Sequence, residues 1–554
     1  MSSSKKKQLR NAQNMTERQL AAEKEAKQLK RYTLTFWVVF ALVLAIFVSA
    51  VALNPIKNII YKNSDAIEVG GHTLSAVEAN YFYIDAVNSY VNQVGDYISL
   101  FLNTSKPLDE QVYDKESGKT WADSFLDNAK SNIQYTYALY NEAVKNNFQL
   151  SEDQQKSIDS MMSTLKIYSS IYGYKNVDAY LRAVYGNGAT EESYRNYYTV
   201  CATADAYHAE YAESLEYEAS DLREFEAGSA FKYNSYSYAA YYLTVSSFYE
   251  GGTKGEDGKV TYSAEEKEAG RLAAEKVANE LAAGTYATLE EFDAAIKALE
   301  INKENEKAAS TKYEDVLYNG FNGTTGVSSL FQDWIAGKVE SEVEGEDPAY
   351  VERKEGDMTV VANKSGSGDS EVVYGYYVLR FGSVSDNNYA LKNVRHILIS
   401  FEGGTKDSNG NVTYSDAEKD AAKLKASNLL KTWISGDKTE ESFAELAEKN
   451  STDTGSKSNG GLYEDIYPNQ MVEAFNDWCF DSERKPGDTG LVETEYGYHV
   501  MYFVGDSETL FRDYMVEAAL RSSDVSEWLT ALEDAITVEV LSTKHIKMDL
   551  TLSH

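Results

Sequence analysis

Apolar residues are distributed unevenly along the chain, and the first apolar segment is a continuous run. From Tyr32 to Leu53 the sequence reads YTLTFWVVFALVLAIFVSAVAL, without a charged residue. About 20 apolar residues in a helix cross the hydrocarbon core of a bilayer, so this run predicts a transmembrane anchor. Residues 1–31 carry nine Lys or Arg against three Glu. The positive-inside rule therefore predicts a basic cytoplasmic tail over residues 1–31, and a single-pass cell-membrane protein whose bulk lies outside the cytoplasm.

A cleaved signal peptide is the alternative interpretation of this run. Ala50-Val51-Ala52 has the small residues of a cleavage site. The charged leader before Tyr32 is longer than the usual n-region of a signal peptide, and this length favours an uncleaved anchor.

Beyond the anchor, apolar positions recur mainly at helical spacing. Residues 66–69 alternate as a short strand does, and Gly70-Gly71 supplies a turn. Ser75 and Glu78 have the spacing of a capping box at the start of a helix. Helical patterns continue over residues 125–147, 151–172, 177–185 and 191–227. We predict a helical domain over residues 65–235, whose many tyrosines pack mainly as core.

The end of the chain, residues 506–554, has a similar pattern. Leu510–Ala518 and Val525–Leu532 are two amphipathic helical stretches. Ile536–Val540 alternates and is a candidate strand.

A duplication lies between these segments. GGTKGEDGKVTYSAEEKEAGRL, from Gly251 to Leu272, returns as GGTKDSNGNVTYSDAEKDAAKL from Gly403 to Leu424. Each copy opens with a β-type run, crosses a Gly/Asn/Asp loop, enters a helix and closes on a second β-type run. This order predicts a multidomain α+β protein in which each copy packs helices on a small antiparallel sheet. We assign residues 236–383 to the first repeat, with a disordered insertion at Ser341–Glu371, and residues 389–505 to the second repeat.

Only the second repeat carries histidines at two places in its β-type runs. His396 lies in the opening run, and His499 lies in the closing run. The first repeat has tyrosine at the places that we match to them, Tyr242 and Tyr377. A duplication that loses both titratable groups from one copy directs the search for chemistry to the second repeat.

The composition excludes several classes of function. The formal net charge is −34. Nucleic acid is therefore not an expected partner, because phosphate binding needs concentrated positive charge. Cys201 and Cys479 lie in different predicted domains without metal-ligand spacing. We expect neither a metal nor a cofactor.

Residues 393–505 resemble a parvulin-type peptidyl-prolyl isomerase domain. The resemblance rests on motifs that occur in the family's order: the strand with His396, residues 443–447, residues 451–456, Gly460-Gly461-Leu462, Met471 with Phe475, Pro486-Gly487-Asp488 and residues 496–499. Seven motifs in order are specific, whereas each alone is weak.

The resemblance implies roles for seven residues. Leu462, Met471 and Phe475 would form the pocket for the substrate proline ring. His396, His499 and Thr494 would form a hydrogen-bond network at the floor of the site, and Asp453 would give polar support near the substrate carbonyl. Taken without the resemblance, Met471 and Phe475 are typical core residues, and Asp453 is a typical turn residue.

The whole chain resembles the PrsA and SurA type of extracytoplasmic foldase. The resemblance implies that strand 536–540 pairs with residues 67–69, so that residues 506–554 complete the N-terminal helical domain. It also implies an isomerase and chaperone that assists unfolded or nascent exported proteins containing X-Pro bonds. The alternative is a non-catalytic holdase or scaffold that uses its parvulin-type domains only to bind peptides. The sequence does not indicate an oligomeric state.

Overall fold

The computed structural model describes residues 55–339, 348–408 and 410–552. The predicted tail at residues 1–31 and the predicted anchor at Tyr32–Leu53 lie outside this range. Across the described residues, no helix has both the length and the apolar composition needed to cross a bilayer.

The described residues form fourteen α-helices, numbered α1 to α14 in chain order. They are Pro55–Lys62, Ala76–Val94, Trp121–Lys145, Glu152–Ile171, Val177–Tyr185, Glu191–Ser214, Ala219–Glu226, Ala264–Ala282, Leu289–Lys297, Gln332–Ile335, Asp416–Ser435, Glu440–Asn450, Glu473–Cys479 and Phe511–Asp534.

The strands in the same residues are numbered β1 to β17. They are Asp65–Val69, His72–Ser75, Ser235–Thr244, Thr253–Lys254, Val260–Thr261, Thr311–Leu317, Lys338–Val339, Ala349–Tyr350, Met358–Ser365, Val372–Ser385, Ala390–Ser400, Thr405–Lys406, Val412–Thr413, Leu462–Ile466, Thr489–Thr494, Gly497–Leu510 and Val538–Val540.

The chain divides into two compact units, and the first is discontinuous. It contains the described residues up to Tyr217 together with those from Ala519 onward. Its three-stranded sheet has the order β17-β1-β2, and Ile67 pairs with Val540. The predicted pairing of the chain's last strand with residues 67–69 is therefore confirmed. The unit ends at Tyr217, earlier than the boundary at residue 235 that we expected.

Capping residues fix where the helices of this unit begin. Ser75 accepts a hydrogen bond from the Glu78 amide, and Glu78 bonds back to Ser75, so the predicted capping box starts α2. The predicted helix 191–227 is wrong as one element, because the chain leaves α6 after Ser214 and Glu218 caps α7. The two predicted C-terminal stretches are one helix, α14, because residues 519–524 include neither Gly nor Pro to interrupt it.

Tyrosines fill much of the core of the first unit. The ring of Tyr81 lies 4.9–5.3 Å from the rings of Tyr185, Tyr194 and Tyr197, measured between centroids. Tyr81 and Tyr194 are buried. These contacts agree with the expectation that the aromatic stripe is mainly core.

The second unit, residues 218–518, contains two four-stranded antiparallel sheets. One sheet has the order β6-β3-β10-β9, and the other has the order β14-β11-β16-β15. In each, the long central pair joins the opening strand to the closing strand of one repeat. The two repeats therefore have the same strand order.

The duplicated segment builds the same local structure twice. Glu266 accepts hydrogen bonds from the Gly252 and Ser263 amides, and Glu418 accepts them from the Gly404 and Ser415 amides. Each glutamate thus caps a helix, α8 or α11, and holds the hairpin before it. This shared cap accounts for the Gly, Ser and Glu that recur at these places in the two copies.

The predicted disordered insertion at Ser341–Glu371 is wrong for the part that the structure describes. Strand β9, Met358–Ser365, lies inside it and pairs with β10, including Val360 with Val378. The β-branched residues Thr359, Val360 and Val361 favour a strand, but the Gly and Ser residues that follow them had suggested disorder.

Candidate active site

Two neighbouring strands of the second repeat place the histidines on one face of the sheet. His396 pairs in register with Met501, and Leu398 pairs with His499. His396 and His499 are thus diagonal neighbours whose side chains point to the same face. Their ring centroids are 5.2 Å apart, the ring planes are inclined by 22°, and both side chains are buried.

A continuous chain of hydrogen bonds runs through these two rings. The Nδ1 atoms of His396 and His499 are 3.0 Å apart. His396 Nε2 lies 3.0 Å from Asp453 Oδ2, and His499 Nε2 lies 2.9 Å from Thr494 Oγ1. The structure therefore brings together the three residues of the predicted network, and Asp453 joins them through its contact with His396. We call Thr494, His499, His396 and Asp453 the histidine relay.

Asp453 is the fixed anion at one end of the relay. Ser456 and Tyr463 donate hydrogen bonds to Asp453 Oδ2 over 2.5 Å and 2.6 Å, in addition to the contact with His396. Burial by itself raises the pKa of Asp453, but the hydrogen bond and charge of His396, with the bonds from Ser456 and Tyr463, lower it below its ordinary value. Hydrogen bonds to a charged group contribute about 1.5–3 kcal/mol each, and three of them outweigh partial burial here.

The other histidine is held neutral. Burial is the main cause that lowers the pKa of His499 well below its usual value, and the neighbouring His396 lowers it further. A protein that works near neutral pH therefore presents an uncharged His499 ring at this position.

The acceptors determine where the relay protons lie. Ionised Asp453 requires a proton on His396 Nε2. With His396 neutral, its Nδ1 accepts from His499 Nδ1, and His499 Nε2 accepts from the Thr494 hydroxyl. A second proton on His396 would reverse both of the latter bonds, and Thr494 would then donate to the Gly497 carbonyl 3.4 Å away. The relay can thus change its polarity without moving a heavy atom.

Apolar side chains cover the same face of the sheet. The Phe475 ring stands edge-on to both imidazoles, at centroid distances of 5.5 Å from His396 and 5.3 Å from His499. Met471 and Phe475 are buried in one cluster with Met501 and Phe503. Of the three predicted pocket residues, Phe475 therefore lies against the relay, and Met471 is buried in the same apolar cluster as Phe475.

The third predicted pocket residue, Leu462, lies on the opposite face of the sheet from the relay. Leu462 pairs with Arg395, whose side chain extends to Glu440 on α12, whereas Tyr463 pairs with Val394 on the relay face. Residues directly opposite in neighbouring strands share a face, so Leu462 faces away from Met471 and Phe475. Tyr463 occupies that position instead, with its ring stacked 4.9 Å from that of His396.

Sequence reasoning missed Tyr463 and Ser456 as members of the site. Tyr463 adjoins the residue that we selected, and only the pairing register shows which of the two faces the relay. Ser456 lies within the loop motif of residues 451–456, three residues after Asp453, and is completely buried. The spacing of Asp453 and Ser456 was the available signal.

The first repeat has a different set of side chains on the corresponding face. Gly375 pairs with Thr244 as Gly497 pairs with Ser400, so Tyr377 takes the place of His499. His396 lies four residues before Ser400, and Ala240 lies four residues before Thr244. Ala240, not Tyr242, therefore stands at the place of His396. Our match of Tyr242 was wrong because the short 3₁₀ turn Val245–Phe248 adds residues before the shared segment.

The comparisons with known proteins agree with the position of this site. Residues 376–506 match the family model of the PPIC-type PPIASE domain. Foldase protein PrsA 1 of Listeria monocytogenes serotype 4b (strain F2365) is 38% identical over 71 residues, 13% of this chain and 24% of that protein. Chaperone SurA of Pseudomonas fluorescens (strain Pf0-1) is 33% identical over 159 residues, 26% of this chain and 32% of that protein. The chain thus spans about a quarter to a third of the length of these relatives.

Solved structures give a weaker likeness. Peptidylprolyl isomerase PrsA from Bacillus anthracis matches at 20% identity over 27% of this chain and 59% of that chain, with a TM-score of 0.17. PrsA from Bacillus subtilis matches at 20% identity over 29% and 55%, also with a TM-score of 0.17. These values carry no argument by themselves. The prediction of a parvulin-type domain in the second repeat is confirmed by the family match, and the chain is similar to foldases of the PrsA and SurA type over the segments that match.

Proposed function

We propose that this chain is a peptidyl-prolyl cis/trans isomerase and chaperone that assists the folding of exported proteins, and that its second repeat holds the active site. The observation that carries the proposal is the histidine relay beside Met471 and Phe475, inside the residues that match the PPIC-type domain. The named relatives, a foldase and a chaperone, support the wider role.

The reaction asks little covalent chemistry of the protein. Rotation about an X-Pro bond crosses a barrier of about 18–20 kcal/mol because the amide loses its resonance. A catalyst has to bind the twisted amide better than the planar one. Met471 and Phe475 supply apolar contacts for the pyrrolidine ring, and the relay sets the polarity of the surface next to it. In this proposal no bond to the protein forms or breaks.

The relay orients side chains for this task. Asp453 and Thr494 fix its two ends, and Phe475 lies edge-on against both imidazoles. A change in either histidine would therefore move the Phe475 ring. We assign His396, His499, Asp453, Thr494 and Ser456 to orientation of the site, and Met471, Phe475 and Tyr463 to contact with the substrate.

Isomerisation of an X-Pro tetrapeptide by the purified chain tests the proposal. The wild-type chain should accelerate exchange. Met471→Ala and His499→Ala should each lower kcat/KM by about 10- to 100-fold, because misplaced groups lose that much when geometry sets the rate. Tyr377→Phe, at the matching place in the first repeat, is the control and should leave the rate unchanged. A wild-type chain without activity would refute the isomerase.

Holding unfolded clients without catalysis is the second candidate function, and an apolar surface in the first unit favours it. Two neighbouring segments, residues 97–101 and 112–113, carry five apolar residues with more than half of their surface exposed: Tyr97, Leu100, Phe101, Val112 and Tyr113. A hydrogen bond from the Asn103 amide to Gln111 joins the two segments that carry them. Exposed apolar residues grouped in this way mark interaction sites. Suppression of aggregation of a proline-free client by a chain that is inactive in the tetrapeptide assay would favour this function.

We also propose that residues 32–53 anchor the chain in the cell membrane, with residues 1–31 in the cytoplasm and the described units outside. The apolar run and the basic residues before it support this assignment. Ile59 and Ile60 on α1, which starts just beyond the run, have exposed side chains that suit an apolar boundary. Removal of residues 1–54 should release the protein from the membrane fraction, and continued pelleting with the membranes would contradict the anchor.

We infer that the first repeat is a degenerate copy of the parvulin-type domain. Its sheet order and its capped hairpin support this descent. Ala240 and Tyr377 stand in place of the two imidazoles, so we assign it no isomerase activity. Without a reaction of its own, the first repeat would act through its contacts with other parts of the protein.

A further inference from the structure

We propose that the first repeat positions the active site of the second repeat through Phe321 and Asn322, which hold the loop that ends at Met471. These two residues would be positioning residues, because they reach the substrate pocket only through Tyr467. The inference rests on the proposed isomerase function.

The loop that leads to Met471 is short and closed on itself. Strand β14 ends at Ile466, and Tyr467 begins the loop. The Tyr467 amide donates to Gln470 Oε1 over 3.0 Å, and the Gln470 amide donates to the Tyr467 carbonyl over 3.2 Å. Tyr467, Gln470 and Met471 are all buried. Because these bonds tie the two ends of the loop together, a shift of Tyr467 carries Met471 with it.

Side chains outside the sheet of the second repeat hold the Tyr467 ring. Phe511 stacks on it at 5.3 Å, and Phe321 meets it edge-on at 5.5 Å. Asn322 Nδ2 donates to the Tyr467 hydroxyl over 3.1 Å. Tyr467, Phe511 and Met515 form a separate buried cluster against which Phe321 packs. The first repeat therefore supplies two contacts to Tyr467: Phe321 packs against its ring, and Asn322 bonds to its hydroxyl.

The loop of the first repeat is built to present these two residues. Thr324 Oγ1 accepts from the Phe321 amide and donates to the Phe321 carbonyl. Gly320 has a positive φ of 72°, and a Cβ there would lie 2.2 Å from the Thr324 carbonyl oxygen. Asn322 also has a positive φ, of 47°. A backbone wound this tightly holds its side chains in place with little freedom of its own.

This arrangement gives the first repeat a use that does not need its histidines. Pocket residues lose catalytic power when they are held even about 1 Å from their productive place. The contact of Phe321 with Tyr467, together with the hydrogen-bonded loop from Tyr467 to Met471, is an indirect support of that kind. The loss of imidazoles from the first repeat would then leave its supporting contact intact.

Kinetics of the full chain with an X-Pro tetrapeptide test the inference. Phe321→Ala should raise KM about tenfold, because Met471 loses its fixed place in the pocket. The same variant should change kcat less than about twofold, because the histidine relay is untouched. Phe321→Leu, which keeps apolar volume against Tyr467, should restore most of the affinity. Asn322→Ala and Tyr467→Phe each remove one hydrogen bond and should have smaller effects in the same direction.

Tyr313→Ala is the matched control. Tyr313 is a partly exposed aromatic residue of the first repeat that stacks on Tyr238 and lies away from Tyr467. This variant should leave KM unchanged. If it raised KM as Phe321→Ala does, general destabilisation of the first repeat would explain both effects and the inference would be wrong.

Hydrogen exchange gives a readout that does not depend on catalysis. Amides of residues 467–475 should exchange faster in Phe321→Ala than in the wild type, while amides of α11 should not. If the wild-type chain were inactive, the proposed isomerase function would be wrong. Hydrogen exchange would still show whether Phe321 holds the loop that ends at Met471. An active chain in which Phe321→Ala alters neither KM nor the exchange of residues 467–475 would overturn the inference and leave the isomerase standing.

Discussion

The first and second repeats share the strand order of their sheets and differ in the side chains on one face. In the second repeat, that face carries His396 and His499 with Phe475 edge-on to both rings. In the first repeat, it carries Tyr377, with Phe331 at 5.6 Å from its ring. A phenylalanine thus packs on the closing strand in both, although only the face of the second repeat carries histidines.

The difference shows which part of the fold is scaffold and which part is chemistry. Phe331 and Ile335 pack in the first repeat as Phe475 and Cys479 pack in the second, each pair one helical turn apart. Burial of these aromatic residues stabilises either sheet whether or not it binds a substrate. Only the second repeat adds a partly buried carboxylate, Asp453, hydrogen-bonded to a histidine. Shared packing therefore does not imply shared function.

The two phenylalanines offer the largest expected effect. Phe475→Ala and Phe331→Ala each remove a buried ring, and each should lower the free energy of unfolding of its own repeat by about 3–5 kcal/mol. Only Phe475→Ala should also remove isomerase activity, because Phe331 faces no relay. Hydrogen exchange of each repeat measures stability, and tetrapeptide exchange measures activity.

A milder pair of variants keeps this comparison interpretable if the alanine variants unfold. Phe475→Leu and Phe331→Leu retain apolar volume and should leave both repeats folded. Loss of activity in Phe475→Leu but not in Phe331→Leu is expected. Equal losses of activity in the two would show that the first repeat takes part in the reaction, and the assignment of chemistry to the second repeat alone would be wrong.

Much of this architecture could be predicted because the sequence carries local signals for it. The capping box at Ser75, the duplicated segment from Gly251 and the alternating strand at 66–69 each specify a short-range structure. His396, His499, Asp453 and Thr494 could be selected because they occur in ordered motifs. The meeting of His396, His499 and Thr494 is a property of strand register, which the closing strand fixes through its buried face.

The errors fall where long-range pairing decides the outcome. Leu462 and Tyr463 are adjacent, and a shift of one residue moves a side chain to the other face of the sheet. Ala240 was missed because the turn at Val245–Phe248 lengthens the connection between the opening strand and the duplicated segment. Phe321 has no local signal at all, since its importance comes from Tyr467, which lies far away in the chain.

The Asp453 carboxylate should have a smaller effect on stability, and this effect should depend on pH. The pKa of Asp453 is lowered in the folded protein, whereas an unfolded aspartate titrates near about 3.9. Below that pH the unfolded chain binds the additional proton first, so the stability that the carboxylate contributes is present above about pH 4 and is lost as the pH falls towards the folded pKa. Asp453→Asn should remove this portion of the acid dependence and lower stability at neutral pH.

Hydrogen exchange of amides in β11 across the acid range measures this contribution in the second repeat alone. The difference in stability between the wild type and Asp453→Asn should be constant near neutral pH and should shrink below about pH 4. Asp437→Asn, at an exposed site on the same repeat, controls for the general change in charge. If the wild type and Asp453→Asn kept a constant difference at every pH, the bonds from His396, Ser456 and Tyr463 would not be holding an anion. The contrast between the charged face of the second repeat and the uncharged face of the first would then lose its electrostatic basis.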